Sequence, residues 1–207
     1  MGQRHMTYVM VEDVARNREK AMLALYNQWN YELIQPAKVI RFLAALKQWQ
    51  QNKSVVECES IAKLYQHAAS ITPSGLSNMV IENGYYNQTY GMYDEDNNNG
   101  WQIVFVKYDS DKQKFDVHVG FKPGYEWGED YENKGYLPLK EYLDGCLTGK
   151  GESGYSGFLA DHNKDEQIVL EQINKSFNKD EIERAEAMIR QEIERLQAAK
   201  KSEQVGG

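Results

Sequence analysis

Cysteine is scarce: Cys58 and Cys146 are the only two among 207 residues, too few for a disulfide framework. Folding is therefore expected to rest on an apolar core in a reduced chain. Four prolines and sixteen glycines exclude collagenous and low-complexity classes. No apolar run approaches the roughly 20 residues that cross a bilayer. The opening MGQRHMTYVMVED also lacks a long apolar stretch followed by a small-residue cleavage site. A cytoplasmic protein without membrane contact is expected. The four histidines, His5, His67, His118 and His162, show no i, i+4 pair, so neither a metal nor a cofactor is expected. What the chain does have is 41% hydrophobic and 12% aromatic content. At this length one core can bury roughly 70% of the surface exposed by the unfolded chain.

The net charge of −7 is unevenly spread. Residues 1–70 carry nine Lys or Arg against six Asp or Glu, whereas residues 71–160 carry seven against fourteen. Direct nucleic-acid binding is not expected, because affinity for phosphates comes mainly from clustered cations and this acidic middle would repel them. Such a surface suits a basic protein partner instead.

The pattern of elements predicts an α+β fold: an antiparallel sheet of at least two hairpins, covering helices and a C-terminal amphipathic helix. RHMTYVMV (4–11) and KAMLALYNQW (20–29) read as the first hairpin. A turn centred near Arg16 sets His5 opposite Asn27 and Arg4 opposite Gln28. Thr7, Val9, Val11, Ala21, Leu23 and Leu25 then share one face; Met6, Tyr8, Met10, Met22, Ala24 and Tyr26 share the other. With both faces apolar, this hairpin belongs at the sheet's centre. Helices are expected over 36–50, with Pro36 in the first turn, and over 54–69. WQIVFVKY (101–108) and KFDVHVGF (114–121) form the second hairpin. Pairing across DSDKQ places Trp101, Ile103, Phe105, Phe115, Val117, Val119 and Phe121 together. His118 then faces outward with Val104, Val106, Tyr108, Lys114 and Asp116.

Residues 75–100 and most of 122–160 read as irregular, apart from a short helix at LPLKEYL. Residues 1–177 are expected to form a single α+β domain. The helix over 178–201 starts at a capping Asn178, with Phe177 and Ile182 placed as a hydrophobic staple. Its stripe of Ile182, Ala185, Ile189, Ile193, Leu196 and Ala199 serves packing or, through 179–201, assembly of a homo-oligomer. Residues 202–207 form a frayed tail.

Several motifs nearly match. GKGESG (149–154) satisfies G-x-G-x-x-G but follows no strand. Gly151 stands where a phosphate-binding loop needs Ser or Thr, and GYSGF lacks the final glycine of a nucleophile elbow. DEDNNNG (94–100) has alternating oxygens but no closing Glu for calcium. Cys58 reads as core, and Cys146 has no His nearby in sequence. Removal of Met1 would expose Gly2, which has no side-chain nucleophile.

One constellation rises above this background. Gln3, Arg4 and His5 at the start of the first strand meet Asn27, Gln28, Trp29 and Asn30 at the end of the second. Cross-strand neighbours lie about 4.5–5.5 Å apart, so an imidazole, a guanidinium, several amides and an indole would share a patch. Such groups can bind a carboxylate, phosphate, amide or base. The plainer alternative is a polar network closing one end of the sheet. A second candidate surface is the aromatic, acidic segment 121–142, where Tyr125, Trp127, Tyr131 and Tyr136 could anchor a protein partner.

MGQRH before a strand, YNQW at the end of the next, and WQIVFVKYDSDKQKFDV further on together resemble a family of phage-encoded and fungal proteins. Its members begin Met-Gly-Thr-Arg-His or Met-Gly-Thr-Arg-Ser and continue Tyr-x-Gln-Trp-Asp-Gly-Tyr-Pro. Here Gln3 replaces Thr, Asn30 replaces Asp, and Tyr31 interrupts the continuation. The change at Asn30 removes an acidic group available for acid–base or metal chemistry. The resemblance implies origin in a phage or other mobile element and supplies no catalytic residues to carry over. The leading expectation is a non-enzymatic accessory binding protein that engages a host or defence component. One alternative is a small-molecule or nucleotide-handling enzyme using Arg4, His5, Asn27 and Gln28, with His5 as general base. Another is a homo-oligomeric structural component.

Overall fold

A computed structural model describes residues 4–16, 19–28, 34–52, 57–70, 78–81, 100–123, 134–146, 154–160 and 162–205. In chain order the described elements are β1 (Arg4–Asp13), β2 (Lys20–Gln28), α1 (Ile34–Gln51), α2 (Cys58–Ser70), β3 (Asn78–Ile81), β4 (Trp101–Asp109), β5 (Lys114–Lys122), α3 (Leu139–Cys146), α4 (Gly154–Ala160), α5 (Lys164–Ser176) and α6 (Lys179–Val205). The fold is α+β. The strands form one sheet in the order β3-β2-β1-β4-β5. Neighbours within each hairpin, and β2 with β3, run antiparallel; β1 and β4 pair in parallel where the hairpins meet.

β1 lies at the centre because it is apolar on both sides. Val9 and Val11 join Leu23, Leu25, Val104, Val106 and Val119 beneath α1 and α2. Met6, Tyr8 and Met10 join Ala24, Ile103 and Phe105 beneath α6. The sheet is therefore a middle layer between two helical ones. The first hairpin has the expected register, Arg4 with Gln28 and His5 with Asn27.

The second hairpin departs from expectation by one residue. Asp109 extends β4 and pairs with Lys114, so the connection is four residues long and Gln113 closes it with φ of +52°. A change of one residue turns every side chain of one strand over relative to its partner. Phe115, Val117, Val119 and Phe121 therefore share the face of Val104 and Val106, while His118 lies opposite Phe105. His118 is buried rather than outward: its ring Nδ1 is 2.6 Å from the Ser176 carbonyl oxygen, and Nε2 stands 3.2 Å from Asp116 Oδ2.

α1 buries Val39, Ile40, Phe42 and Leu46 at helical spacing. Pro36 falls in its first turn, where the missing N–H would have had no helical acceptor. α2 buries Cys58, Ile61, Ala62 and Tyr65, with the Tyr65 ring edge-on to Phe42. Burial, with the charges of Glu19 and Asp13, pushes the Cys58 thiol up to about 12, which leaves it unreactive.

α5 is unanticipated by the hydrophobic pattern; it begins in a capping box formed by Asn163 and Glu166. α6 starts as expected at Asn178, whose Oδ1 accepts from the N–H groups of Asp180 and Glu181. Its Ile182, Ala185, Met188, Ile189 and Ile193 cover the second face of the sheet. The helix continues to Val205, so residues 202–205 are helical rather than frayed. β5 meets α6 at Gly120, where a Cβ would stand 2.8 Å from Ile182 Cγ2 and 3.1 Å from Tyr136 Cδ1. Only glycine permits that approach.

Candidate functional site

The α1/α2 face of the sheet is apolar along most of its length and turns polar at the start of β1. His5 and Thr7 occupy the two β1 positions before Val9 on that face. Gln102 of β4 pairs with Thr7 in the parallel register. Gln35, from the first turn of α1, and Tyr65, from α2, close over them.

These groups form a connected buried network. The Thr7 hydroxyl donates to Gln35 Oε1 at 3.3 Å. Gln102 Nε2 donates to Thr7 Oγ1 at 3.1 Å, Gln35 Oε1 at 3.2 Å and Tyr65 Oη at 2.7 Å. An amide nitrogen carries only two hydrogens, so three acceptors share them. The network remains incomplete. Among the described residues Gln35 Nε2 and Gln102 Oε1 have no hydrogen-bond partner, and the same holds for both ring nitrogens of His5.

His5 is 0% exposed, and Lys38, one helical turn beyond Gln35, is 2% exposed. Burial, reinforced by the Lys38 charge, holds the imidazole well below its ordinary value of 6.5, so it is neutral. Burial also lowers the Lys38 ammonium from 10.5 to about 8. It raises the Tyr65 phenol, which stays protonated. The set thus offers a neutral donor and acceptor, a cation near its titration point, amides and two hydroxyls. It can hold a polar group, but His5, Thr7, Gln35, Lys38, Tyr65 and Gln102 include no carboxylate or thiolate to complete a hydrolytic triad. No group of three His, Cys, Asp or Glu suited to a metal occurs among the described residues.

Of the residues expected at this end, His5 is in place at the polar end. Arg4, Asn27 and Gln28 hold the expected backbone positions in the ladder. Gln3, Trp29 and Asn30 lie outside the described residues. In the other candidate surface, Tyr125, Trp127 and Tyr131 lie outside them as well. Tyr136 does not fit the role of an exposed anchor: it is buried among Met6, Phe105 and Ile182, and its hydroxyl accepts from Trp101 Nε1 at 3.0 Å. Tyr142 is also buried, stacked on Phe121. The glycine-rich motif ends at Gly154, which opens the short helix α4; among the described residues the element before it is the helix α3, not the strand a dinucleotide fingerprint requires. Two grooves, of about 640 Å³ beside Asp144 and Phe177 and about 450 Å³ beside Met22 and Arg195, lie away from His5.

The first strand and its partner pointed to His5. Thr7, Gln35, Lys38, Tyr65 and Gln102 went unassigned, yet Lys38 carried a signal. It shares the side of α1 that bears Phe42, four residues on, so a charge there belongs to an inward face. Comparison of the chain with protein families, curated proteins and solved structures finds no match.

Proposed function

We propose that this chain is a binding protein that holds a small polar ligand at the polar end of its sheet, against His5, Gln35 and Lys38. One observation carries the reading: His5 is fully buried with both ring nitrogens unbonded among the described residues. Native proteins bond more than nine-tenths of their buried polar groups, because an unbonded one costs about 1–3 kcal/mol. A polar plug kept for folding alone would satisfy its imidazole. A site kept for a ligand leaves that bond to the ligand.

Binding without chemistry is favoured over catalysis, since His5, Thr7, Gln35, Lys38, Tyr65 and Gln102 include no carboxylate or thiolate to act with the histidine. The reading as an accessory protein of phage or mobile-element origin rests on the sequence resemblance and is compatible with ligand binding. Engagement of a host protein through residues 121–142 has less support, because Tyr136 and Tyr142 are committed to the interior.

The reading is tested by thermal denaturation against a set of small polar metabolites, with wild type and His5→Leu in parallel. A ligand at one hundred times its Kd adds about 2.7 kcal/mol to stability, so a true ligand raises the wild-type midpoint and leaves the variant unmoved. Equal stabilisation of both proteins by every active compound would refute the assignment of the site.

A further inference from the structure

We propose that the open edge of β5 is a self-association surface, on which a second copy of this chain pairs antiparallel about a two-fold axis at Phe115. β5 ends the sheet order, so one side of its backbone faces away from β4. Its far end shows which groups face that way. Phe121 exchanges both backbone hydrogen bonds with Leu137, at 3.1 Å and 2.7 Å, on the side away from β4. The β4–β5 ladder runs without a break from Trp101 with Lys122 to Asp109 with Lys114, so the backbone direction alternates along it. Val119, Val117 and Phe115 therefore also turn their N–H and C=O groups outward. These have no backbone partner on that side among the described residues. Val119 is fully buried and adjoins His118, whose ring reaches the Ser176 carbonyl where α5 gives way to α6. The open stretch is thus Lys114 to Val117, with Lys114 and Asp116 exposed and Phe115 and Val117 half-buried.

An unpaired strand edge is a template for another strand, and charges on it decide which strand is accepted. Here they match a second copy. With Phe115 opposite the partner's Phe115, antiparallel pairing sets Lys114 opposite the partner's Asp116 and Asp116 opposite the partner's Lys114, each pair on the α6 face of the sheet. Opposite charges directly across a strand pair attract, and like charges repel. The neighbouring registers lose this match. An axis at Asp116 would bring two carboxylates together, and one at Val117 would leave Lys114 opposite the partner's Gly120. Lys114 is available for the contact: it makes no ion pair among the described residues, whereas Lys107 and Lys112 of the same hairpin are taken up by Glu181 and Asp109. Asp116 stands beside His118 yet keeps its side chain 61% exposed. Because the contact is isologous, it closes on itself and yields a dimer with one continuous sheet, not a filament. A strand pair this short makes a weak, reversible dimer.

The experiment is sedimentation equilibrium of the full chain over a range of loading concentrations, with charge-swapped variants at the two exposed positions. The wild-type mass is expected to rise with concentration toward twice that of the monomer and to stop there. Lys114→Glu and Asp116→Lys, each alone, are expected to lose about tenfold or more in association constant, because either change sets like charges opposite each other on both sides of the axis. An equimolar mixture of the two variants restores opposite charges at both contacts and is expected to recover the dimer, as is the double variant. Recovery in the mixture separates lost pairing from damage to the fold. A second measurement reads the backbone: amide exchange at Phe115 is expected to slow as concentration rises, while that at Val104 in the interior of the sheet stays unchanged. A wild-type chain that remains monomeric throughout would overturn the proposal. So would growth past the dimer, association indifferent to both swaps, or a mixture that fails to associate.

Discussion

At the scale of single residues, the polar end of the sheet holds two buried groups with opposite prospects on mutation. Gln102 bonds three partners at once. Gln102→Leu is expected to destabilise the fold by about 2–3 kcal/mol, since it strands Thr7, Gln35 and Tyr65 together. His5 bonds none among the described residues. His5→Leu is therefore expected to raise stability by about 1–2 kcal/mol, as removing a polar group held for function rather than folding commonly does. Urea midpoints of both variants decide this; a loss of stability in His5→Leu would show the imidazole to be a structural plug.

His5 and Lys38 set the pH response of this end. His5 is neutral in the folded state and takes up a proton below 6.5 once unfolded, so its contribution to stability falls as pH drops through that value. Lys38 titrates at about 8 when folded and 10.5 when unfolded, so stability gains as pH rises between those values. Urea midpoints from pH 5 to 9 should show both slopes, the lower one lost in His5→Leu and the upper one in Lys38→Met; above pH 9 the buried Cys58 thiol, held up to about 12, pulls stability the other way. His5 was legible in the sequence because a polar cluster opens an apolar strand. Gln102 was not, because a single amide inside WQIVFVKY alternates like any outward residue and only the burial of both sheet faces turns it inward.

Among the elements, the first hairpin was legible down to its register, since both strands carry apolar residues without a break and one pairing aligns their polar ends. The second was legible as a hairpin but not in its facing. A connection of four residues and one of five look alike in DSDKQ until the backbone of Gln113 is known. α5 was hidden for a related reason: its buried Val169, Leu170 and Ile173 are few, and its start is marked by the hydrogen bonds of Asn163. Two predictions belong here. Gly120→Ala pushes a methyl group into Ile182 and Tyr136 and is expected to cost about 1–3 kcal/mol, with partial recovery in the double variant with Ile182→Ala. Asn178→Ala removes the acceptor for two N–H groups at the start of α6 and is expected to cost about 1 kcal/mol. Thermal unfolding of each variant measures both.

For the whole molecule, the placement of α6 bears on assembly. Its apolar stripe from Ile182 to Ile193 is spent on the sheet, held alongside by the ion pairs of Arg184 with Glu12 and Lys107 with Glu181. Ile189→Glu places a charge in that fully buried stripe and is expected to lower stability by at least about 3 kcal/mol. Sedimentation of the folded fraction should show an unchanged mass; dissociation of a larger species would instead assign the stripe to an interface between copies. The parallel seam at the middle of the sheet also governs how the chain reaches this state. Thr7 and Gln102, which meet across it, are 95 residues apart, whereas each hairpin closes over a short turn. Loop closure over that span delays the joining of the two hairpins. The ribbons are expected to form early and separately, and the buried cluster of Thr7, Gln35, Tyr65 and Gln102 that straddles the seam to be among the last parts of the molecule to assemble.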